Sequence, residues 1–331
     1  MYYSFVIPVF NRPDEIDELL ESLTHQAYSE PFEVVVVEDG STITCEEVVK
    51  KHQKRLNISY YFKQNSGPGD SRNYGMKVAK GSYFIILDSD CIIPPNYLHE
   101  VDTFLQHDKV DCFGGPDAAH ESFSDVQKAI NQSMTSFLTT GGIRGGSEKL
   151  GKFQPRSFNM GISKKAFEES GGFGKIHPGE DPDLSIRLWN LGFRTALIPN
   201  AYVFHKRRID WEKFYKQVHK FGKARPILNQ RYPEYSKITY WFPTLFLLGF
   251  VVAILLFPFD IRWVFSCYIL YFLILFIETI IKTRKIKIAF LTIIAIFIQF
   301  YGYGAGFLYS YYLLQIKKMK PEVAMPEMFF K

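Results

Sequence analysis

Tyr83-Phe84-Ile85-Ile86-Leu87-Asp88-Ser89-Asp90 is the stretch on which the reading of this chain turns. A short apolar run of this kind reads as a buried strand, and it delivers two carboxylates, two positions apart, to its carboxyl end. Residues i and i+2 of a strand point the same way, so two like charges repel there unless a cation lies between them. Mg²⁺ or Mn²⁺ held by one or two carboxylates plus substrate phosphates fits that pattern. A solvated acidic turn is the plainer alternative.

Working outward, apolar runs over 5–10, 32–37, 58–63 and 83–87 alternate with helical patterns over 13–22, 45–56 and 71–80. The first of those helices carries Ile16, Leu19, Leu20 and Leu23 at helical spacing. Such alternation predicts βαβ units and an α/β fold, a mostly parallel sheet with helices on both faces. Ligands of such sheets collect at the carboxyl ends of the strands, so the polar residues after each strand are the first candidates.

Four further segments answer to that description. Val35-Val36-Val37-Glu38-Asp39-Gly40-Ser41 ends a strand in acids, and Asp39 can either bond a nucleobase or ribose or cap the next helix. Ser66-Gly67-Pro68-Gly69-Asp70-Ser71-Arg72-Asn73 is a glycine-rich loop opening a helix, able to bring backbone N–H groups to a phosphate with Arg72 as a positive fork. It also reads as a plain loop with Ser71 as the cap. In His177-Pro178-Gly179-Glu180-Asp181-Pro182-Asp183 one acid, Asp181 or Asp183, can cap the following helix, leaving another to act as a general base. His205 ends the apolar run Tyr202-Val203-Phe204 and is followed by Lys206-Arg207-Arg208, a phosphate-facing arrangement, although a lone His is more often structural.

The chain has 331 residues, 47% of them hydrophobic, with 31 Phe and 20 Tyr concentrated in the last third. The net charge of +5 suits nucleotide phosphates or a membrane face and is too small to argue for nucleic acid. Cys45, Cys91, Cys112 and Cys267 form no CxxC pair, so neither a zinc site nor a disulfide framework is indicated. Met1 leads straight into the first strand with no leader pattern, which sets a cytosolic catalytic domain as the expectation.

Three segments organise the chain: a catalytic domain over 1–209, an amphipathic helix and linker over 210–240, and a membrane segment over 241–331. Trp211, Phe214, Tyr215, Val218 and Phe221 share one helical face, with Lys213, Lys216, Lys220 and Lys223 on the rest. Such a helix lies on a membrane surface or packs on a core. Apolar runs over 241–259, 263–281 and 288–314 are long enough to span a bilayer. Lys282, Arg284, Lys285 and Lys287 flank the third run on one side and Lys317, Lys318 and Lys320 on the other, so it either bends back at Gly302, Gly304 and Gly306 or leaves a charged tail outside. Glu278, four residues before Lys282, is expected to snorkel.

Taken together, Ile7-Pro8-Val9-Phe10-Asn11, Glu38-Asp39-Gly40-Ser41, Gly67-Pro68-Gly69 with Ser71-Arg72-Asn73, Asp88-Ser89-Asp90, Asn159-Met160-Gly161-Ile162-Ser163, Gly171-Gly172-Phe173 and Gly179-Glu180-Asp181 resemble glycosyltransferase family 2, over about residues 1–210. The resemblance implies the GT-A fold and inverting transfer of a sugar from a nucleotide diphosphate, with UDP as the expected nucleotide and Mn²⁺ or Mg²⁺ as cofactor. It implies that Pro8, Val9, Asn11, Asp39, Gly67, Arg72, Asp88 and Ser89 bind the nucleotide sugar. Asp90 and His205 would bind metal, Asp181 would be the base with Glu180 beside it, and Arg156, Asn159 and Met160 would lie near the sugars. The QxxRW motif of processive synthases is absent, which favours transfer of a single sugar. A lipid-linked or cell-surface glycan at the inner membrane is the expected acceptor. The alternative is a polyprenyl phosphate, with Lys206, Arg207, Arg208 and Arg156 as its cations.

Overall fold

The computed structural model describes residues 1–141, 152–206 and 210–330. The apolar runs form strands and the amphipathic runs the helices between them: β1 (Tyr3–Val9), α1 (Pro13–Thr24), β2 (Glu33–Asp39), α2 (Glu46–His52), β3 (Ile58–Lys63), α3 (Pro68–Val78) and β4 (Tyr83–Leu87). The chain continues through β5 (Cys91–Ile92), α4 (Tyr97–His107), β6 (Cys112–Gly114), β7 (Asp117–Ala118), α5 (Asp125–Thr135) and α6 (Phe137–Thr140). Then come β8 (Asn159–Ser163), α7 (Lys164–Ser170), α8 (Glu180–Asn190), β9 (Thr195–Leu197) and β10 (Val203–His205). Four long helices follow, α9 (Trp211–Arg231), α10 (Phe242–Leu256), α11 (Arg262–Thr283) and α12 (Ile286–Tyr311), and then the short α13 (Pro321–Ala324).

Among the described residues the main sheet has the order β3-β2-β1-β4-β8-β6-β9. β1 is parallel to β2 and β4, and β2 to β3, while β8 runs antiparallel to β4 and β6. The carboxyl ends of β1, β2 and β4 therefore meet at one edge. Phe5, Ile7 and Val9 pack with α1 and α4 on one face, and Val6, Val35 and Phe84 pack with Met76, Leu184 and Leu188 of α3 and α8 on the other. Burying each such side chain contributes roughly 1.5–3 kcal/mol, which is why fully apolar strands demand helices on both faces. A small second sheet, β5-β10-β7, pairs His205 with Cys91 and Val203 with Asp117.

Two helix starts differ from expectation. α3 begins at Pro68, whose fixed φ suits the first helical position, after Gly67 at φ 94°. Ser71 is thus inside the helix, bonding the Gly67 carbonyl. α8 begins at Glu180 after Gly179 at φ 127°, so neither Asp181 nor Asp183 caps it; Asp183 accepts from Arg187 Nε at 3.0 Å instead.

The described residues fall into two compact units, a sheet unit within 1–120, 143–206 and 330–331, and a helical unit within 121–142 and 207–329. The boundary expected at 209 thus misses α5 and α6, which belong to the helical unit because Ile130 and Met134 pack with Phe214, Val218 and Ala295. For the same reason the apolar face of α9, expected to meet lipid or a core, is covered by α5 and α12. α12 is one unbroken helix through Gly302, Gly304 and Gly306, so of the two alternatives for this run the bend is absent. Its glycines serve close approach instead: a Cβ on Gly306 would sit 2.2 Å from the His219 carbonyl oxygen, and one on Gly222 of α9 would sit 2.1 Å from that of Tyr303. Among the described residues three helical stretches, Ile238–Phe259, Arg262–Thr283 and Ile286–Ile316, are long and apolar enough to cross a membrane. Glu278 pairs with Lys282 at 2.6 Å and also accepts from Ser136 Oγ at 2.8 Å, a partner that snorkelling does not supply.

Candidate active site

β2 ends at Asp39, where the chain must turn, and its side chain gathers the glycine-rich loop. Oδ2 accepts from Gly67 N at 2.9 Å, while Oδ1 accepts from Ser66 N at 3.0 Å and Lys63 Nζ at 2.6 Å. It does not cap α2, which has no side-chain cap. Lys63 ends β3 in register with Asp39, so parallel pairing alone brings the two charges together. Glu38 organises the same turn from the other side, accepting from Cys45 N and Ser41 Oγ. Asn11, at φ 54°, clamps the loops after β1 and β2 by accepting from Thr42 N at 2.8 Å and Ile43 N at 3.0 Å.

Arg72 joins the middle of the edge. Nη2 donates to Asp88 Oδ1 at 2.7 Å and Nη1 to Glu180 Oε1 at 3.2 Å, with the guanidinium 5.3 Å from the centre of the Phe173 ring. Strand periodicity does not govern Asp88 and Asp90, because β4 stops at Leu87 and the two acids lie beyond it. Asp90 turns to other partners: Oδ2 is 3.2 Å from Arg12 Nη1 and Oδ1 is 3.2 Å from His205 Nε2. Ser89 is buried between them. His205 stacks on Phe158, with Nδ1 3.8 Å from Asp117 Oδ2.

Asp90 and His205 can hold a divalent ion. A carboxylate oxygen and an imidazole nitrogen 3.2 Å apart match the roughly 3 Å edge of an octahedron with bonds of about 2.1 Å. This O/N pair suits Mn²⁺ or Mg²⁺ better than a soft metal, although Cys91 Sγ falls within 4.8 Å of the same atoms. All four cysteines are free.

Glu180 and Asp181, adjacent at the start of α8, are driven apart electrostatically. Burial pushes the Glu180 carboxyl up, but His177, 2.9 Å away, together with Arg72, outweighs burial and holds it down to about 2. Burial likewise pushes Asp181 up, and the neighbouring Glu180 charge adds to that, against the pull of Arg72, Arg156 and a hydrogen bond with Ser157. Among the described residues nothing donates to the buried Asp181 Oδ1. The result is one firmly ionised carboxylate and one poised to take a proton.

Not every expected residue faces this edge. Val9 and Met160 are packed in the core on opposite faces of the sheet, leaving half-buried Pro8 as the exposed member of its pair. Asn159 is fully committed, accepting from Tyr97 OH at 2.6 Å and donating to the Ala201 carbonyl at 2.8 Å. Arg207 and Arg208 lie outside the described residues. Arg12, Lys63, His177 and Asp117 join the site without having been singled out. For Lys63 a signal existed, a lysine at a strand end beside an acid at its neighbour's end; Arg12 and His177 depend on loop positions and Asp117 on a two-residue strand, none of which the sequence pattern encodes.

Loops over a mixed sheet, with acids at the end of β2, after β4 and at the start of α8, are the arrangement of a glycosyltransferase of the GT-A fold. The profile of Glycosyl transferase family 2 matches residues 4–171, and the chain belongs to this family. It is 36% identical over 108 residues to the poly(ribitol-phosphate) beta-N-acetylglucosaminyltransferase TarS of Staphylococcus aureus strain Mu50, covering 32% of this chain and 19% of that protein. A structure of S. aureus TarS 1–349 in complex with UDP-GlcNAc matches with TM-score 0.51 at 20% identity, over 93% of this chain and 91% of its own. The mannosyltransferase PcManGT of Pyrobaculum calidifontis, in complex with GDP-Man and Mn²⁺, matches with TM-score 0.57 at 13% identity, over 96% and 88%. Both structural likenesses speak to the GT-A fold. The chain aligns with less than a quarter of the length of the curated relatives it matches.

Proposed function

We propose that this chain transfers one sugar from a nucleotide diphosphate sugar to an acceptor hydroxyl with inversion, using Asp181 as the general base. Asp181 carries the reading: a buried carboxylate raised in pKa, one residue from the Glu180 that Arg72 ties to Asp88. Asp39 with the Ser66–Gly67 loop takes the base and ribose, and Arg72 with Asp88 the diphosphate side. Asp90 and His205 would hold Mn²⁺ or Mg²⁺, which when bound neutralises charge on the leaving phosphates. The acceptor oxygen attacks C1 as the bond from C1 to the phosphate oxygen breaks, and its proton passes to Asp181 late, because an alcohol does not ionise first. Glu180, held at about 2, is too weak a base and serves to orient Arg72 and His177.

UDP is the nucleotide we favour, in keeping with the TarS relative. A lipid-linked or cell-surface glycan is the acceptor we favour, reached by a cytosolic catalytic unit on helices that cross the inner membrane. A phosphate acceptor fits less well, since Lys206 is engaged by Glu18 at 2.5 Å.

The test is Asp181→Asn, which keeps shape but cannot take a proton. We expect nucleotide-sugar binding to persist while transfer falls at least about 100-fold. Wild-type transfer should fall as pH drops through a value above the usual Asp figure of about 3.9, since protonated Asp181 cannot act as the base, and the variant should lose that limb. If Asp181→Asn transfers at the wild-type rate, Asp181 is not the base.

A further inference from the structure

Phe330 lies in the sheet unit against two of the loops described above. Its backbone N–H donates to the Lys175 carbonyl at 3.0 Å. Its ring stands 5.5 Å, centre to centre, from that of His177, the partner of Glu180. The same ring covers Gly67, where a Cβ would fall 2.4 Å from the nearest ring carbon. Gly67 is held both by its φ of 94°, which disfavours any side chain, and by its N–H bond to Asp39. One aromatic side chain thus touches the loop that organises Asp39 and the corner that organises Glu180.

These contacts bear on the site in a definite way. Gly67 and Gly179 both have positive φ and no side chain, so at these two points packing must come from elsewhere in the fold. A ring laid across both supplies the missing packing and removes water from the Gly67 backbone. Phe330 is itself half-buried and carries no polar group, so it neither binds phosphate nor moves protons.

We propose that Phe330 is a positioning residue of the nucleotide-sugar site, its ring clamping the Ser66–Gly67 loop and the His177–Glu180 corner at the spacing the donor requires. This rests on the glycosyltransferase reading for its ligand, but the clamp itself is independent of it. Displacement of catalytic groups by about 1 Å costs up to about 100-fold, so loss of the ring acts on donor binding through Asp39 and on turnover through Glu180.

The experiment compares full-length wild type, Phe330→Ala and Phe330→Tyr in detergent. Two readouts are taken: UDP affinity with Mn²⁺, and hydrogen exchange over 64–70 and 175–181 without nucleotide. For Phe330→Ala we expect UDP affinity to weaken about tenfold and exchange to accelerate in both segments, with Phe330→Tyr restoring both. Unchanged exchange in either segment overturns the clamp, as does UDP affinity that is unchanged or tighter in Phe330→Ala; tighter binding means that the ring occupies ligand space. Should wild type bind no UDP, the donor assignment fails, while the exchange data still decide the clamp.

Discussion

Buried charge in the sheet unit and close helix contact in the helical unit rest on different residues. At the sheet edge Arg72, 3% exposed, stands between two carboxylates, and Asp39 and Asp90 each face a cation of their own. Between α9 and α12 close contact is made at Gly222 and Gly306, which leave backbone against backbone, and at Gly302, which admits the Val218 side chain. α12, at mean hydropathy 1.8, has half of its apolar window buried, whereas the windows containing α10 and α11, at 2.4 and 2.3, are 11% buried. In the first region charge patterning marks the important positions. In the second, the packed helix is told from the two exposed ones by its lower hydropathy and by its glycines.

The sharpest way to break this comparison is Arg72→Ala. It removes Arg72 from buried Glu180, leaving His177 as the neighbour of that carboxylate, and takes the fork from Asp88; breaking a buried pair costs about 3–5 kcal/mol. Thermal unfolding of the detergent-solubilised protein should show the loss; a melting temperature equal to that of wild type would mean that the pair is not what steadies this edge. Gly222→Ala is expected to cost less, about 1–3 kcal/mol, because the new methyl forces α9 and α12 apart without exposing a charge. The same assay checks it, and an unchanged or raised melting temperature would show that the helices are not in glycine contact there.

How much of this could be read beforehand follows the same division. The strands at 58–63 and 83–87 match β3 and β4 residue for residue, because short runs rich in aromatic and β-branched residues and bounded by polar turns read as strands. Asp39, Arg72, Asp88, Asp90, Glu180, Asp181 and His205 were visible as polar residues following strands or opening helices. Their partners were not. His205 reaches Asp90 across 115 positions through the pairing of β10 with β5, two short strands with no periodicity to announce them. Met160 and Val9 were misplaced because a motif gives a position along a strand but not the face, and one step along a strand reverses the side chain. The glycines of α12 left a bend and a straight crossing equally open because a lone helix offers no reason for them; the reason lies on α9.

The account is tested most directly by thermal shift of the full-length protein with UDP, with and without Mn²⁺, in wild type, Asp39→Asn and Asp90→Ala. A ligand bound only by the folded state raises its apparent stability by mass action. UDP should raise the wild-type melting temperature, and more so with Mn²⁺. Asp90→Ala should lose the Mn²⁺-dependent part, and Asp39→Asn most of the shift. A UDP shift with the same size and Mn²⁺ dependence in Asp90→Ala, or no wild-type shift with either UDP or GDP, would contradict a metal-assisted nucleotide-sugar site at this edge.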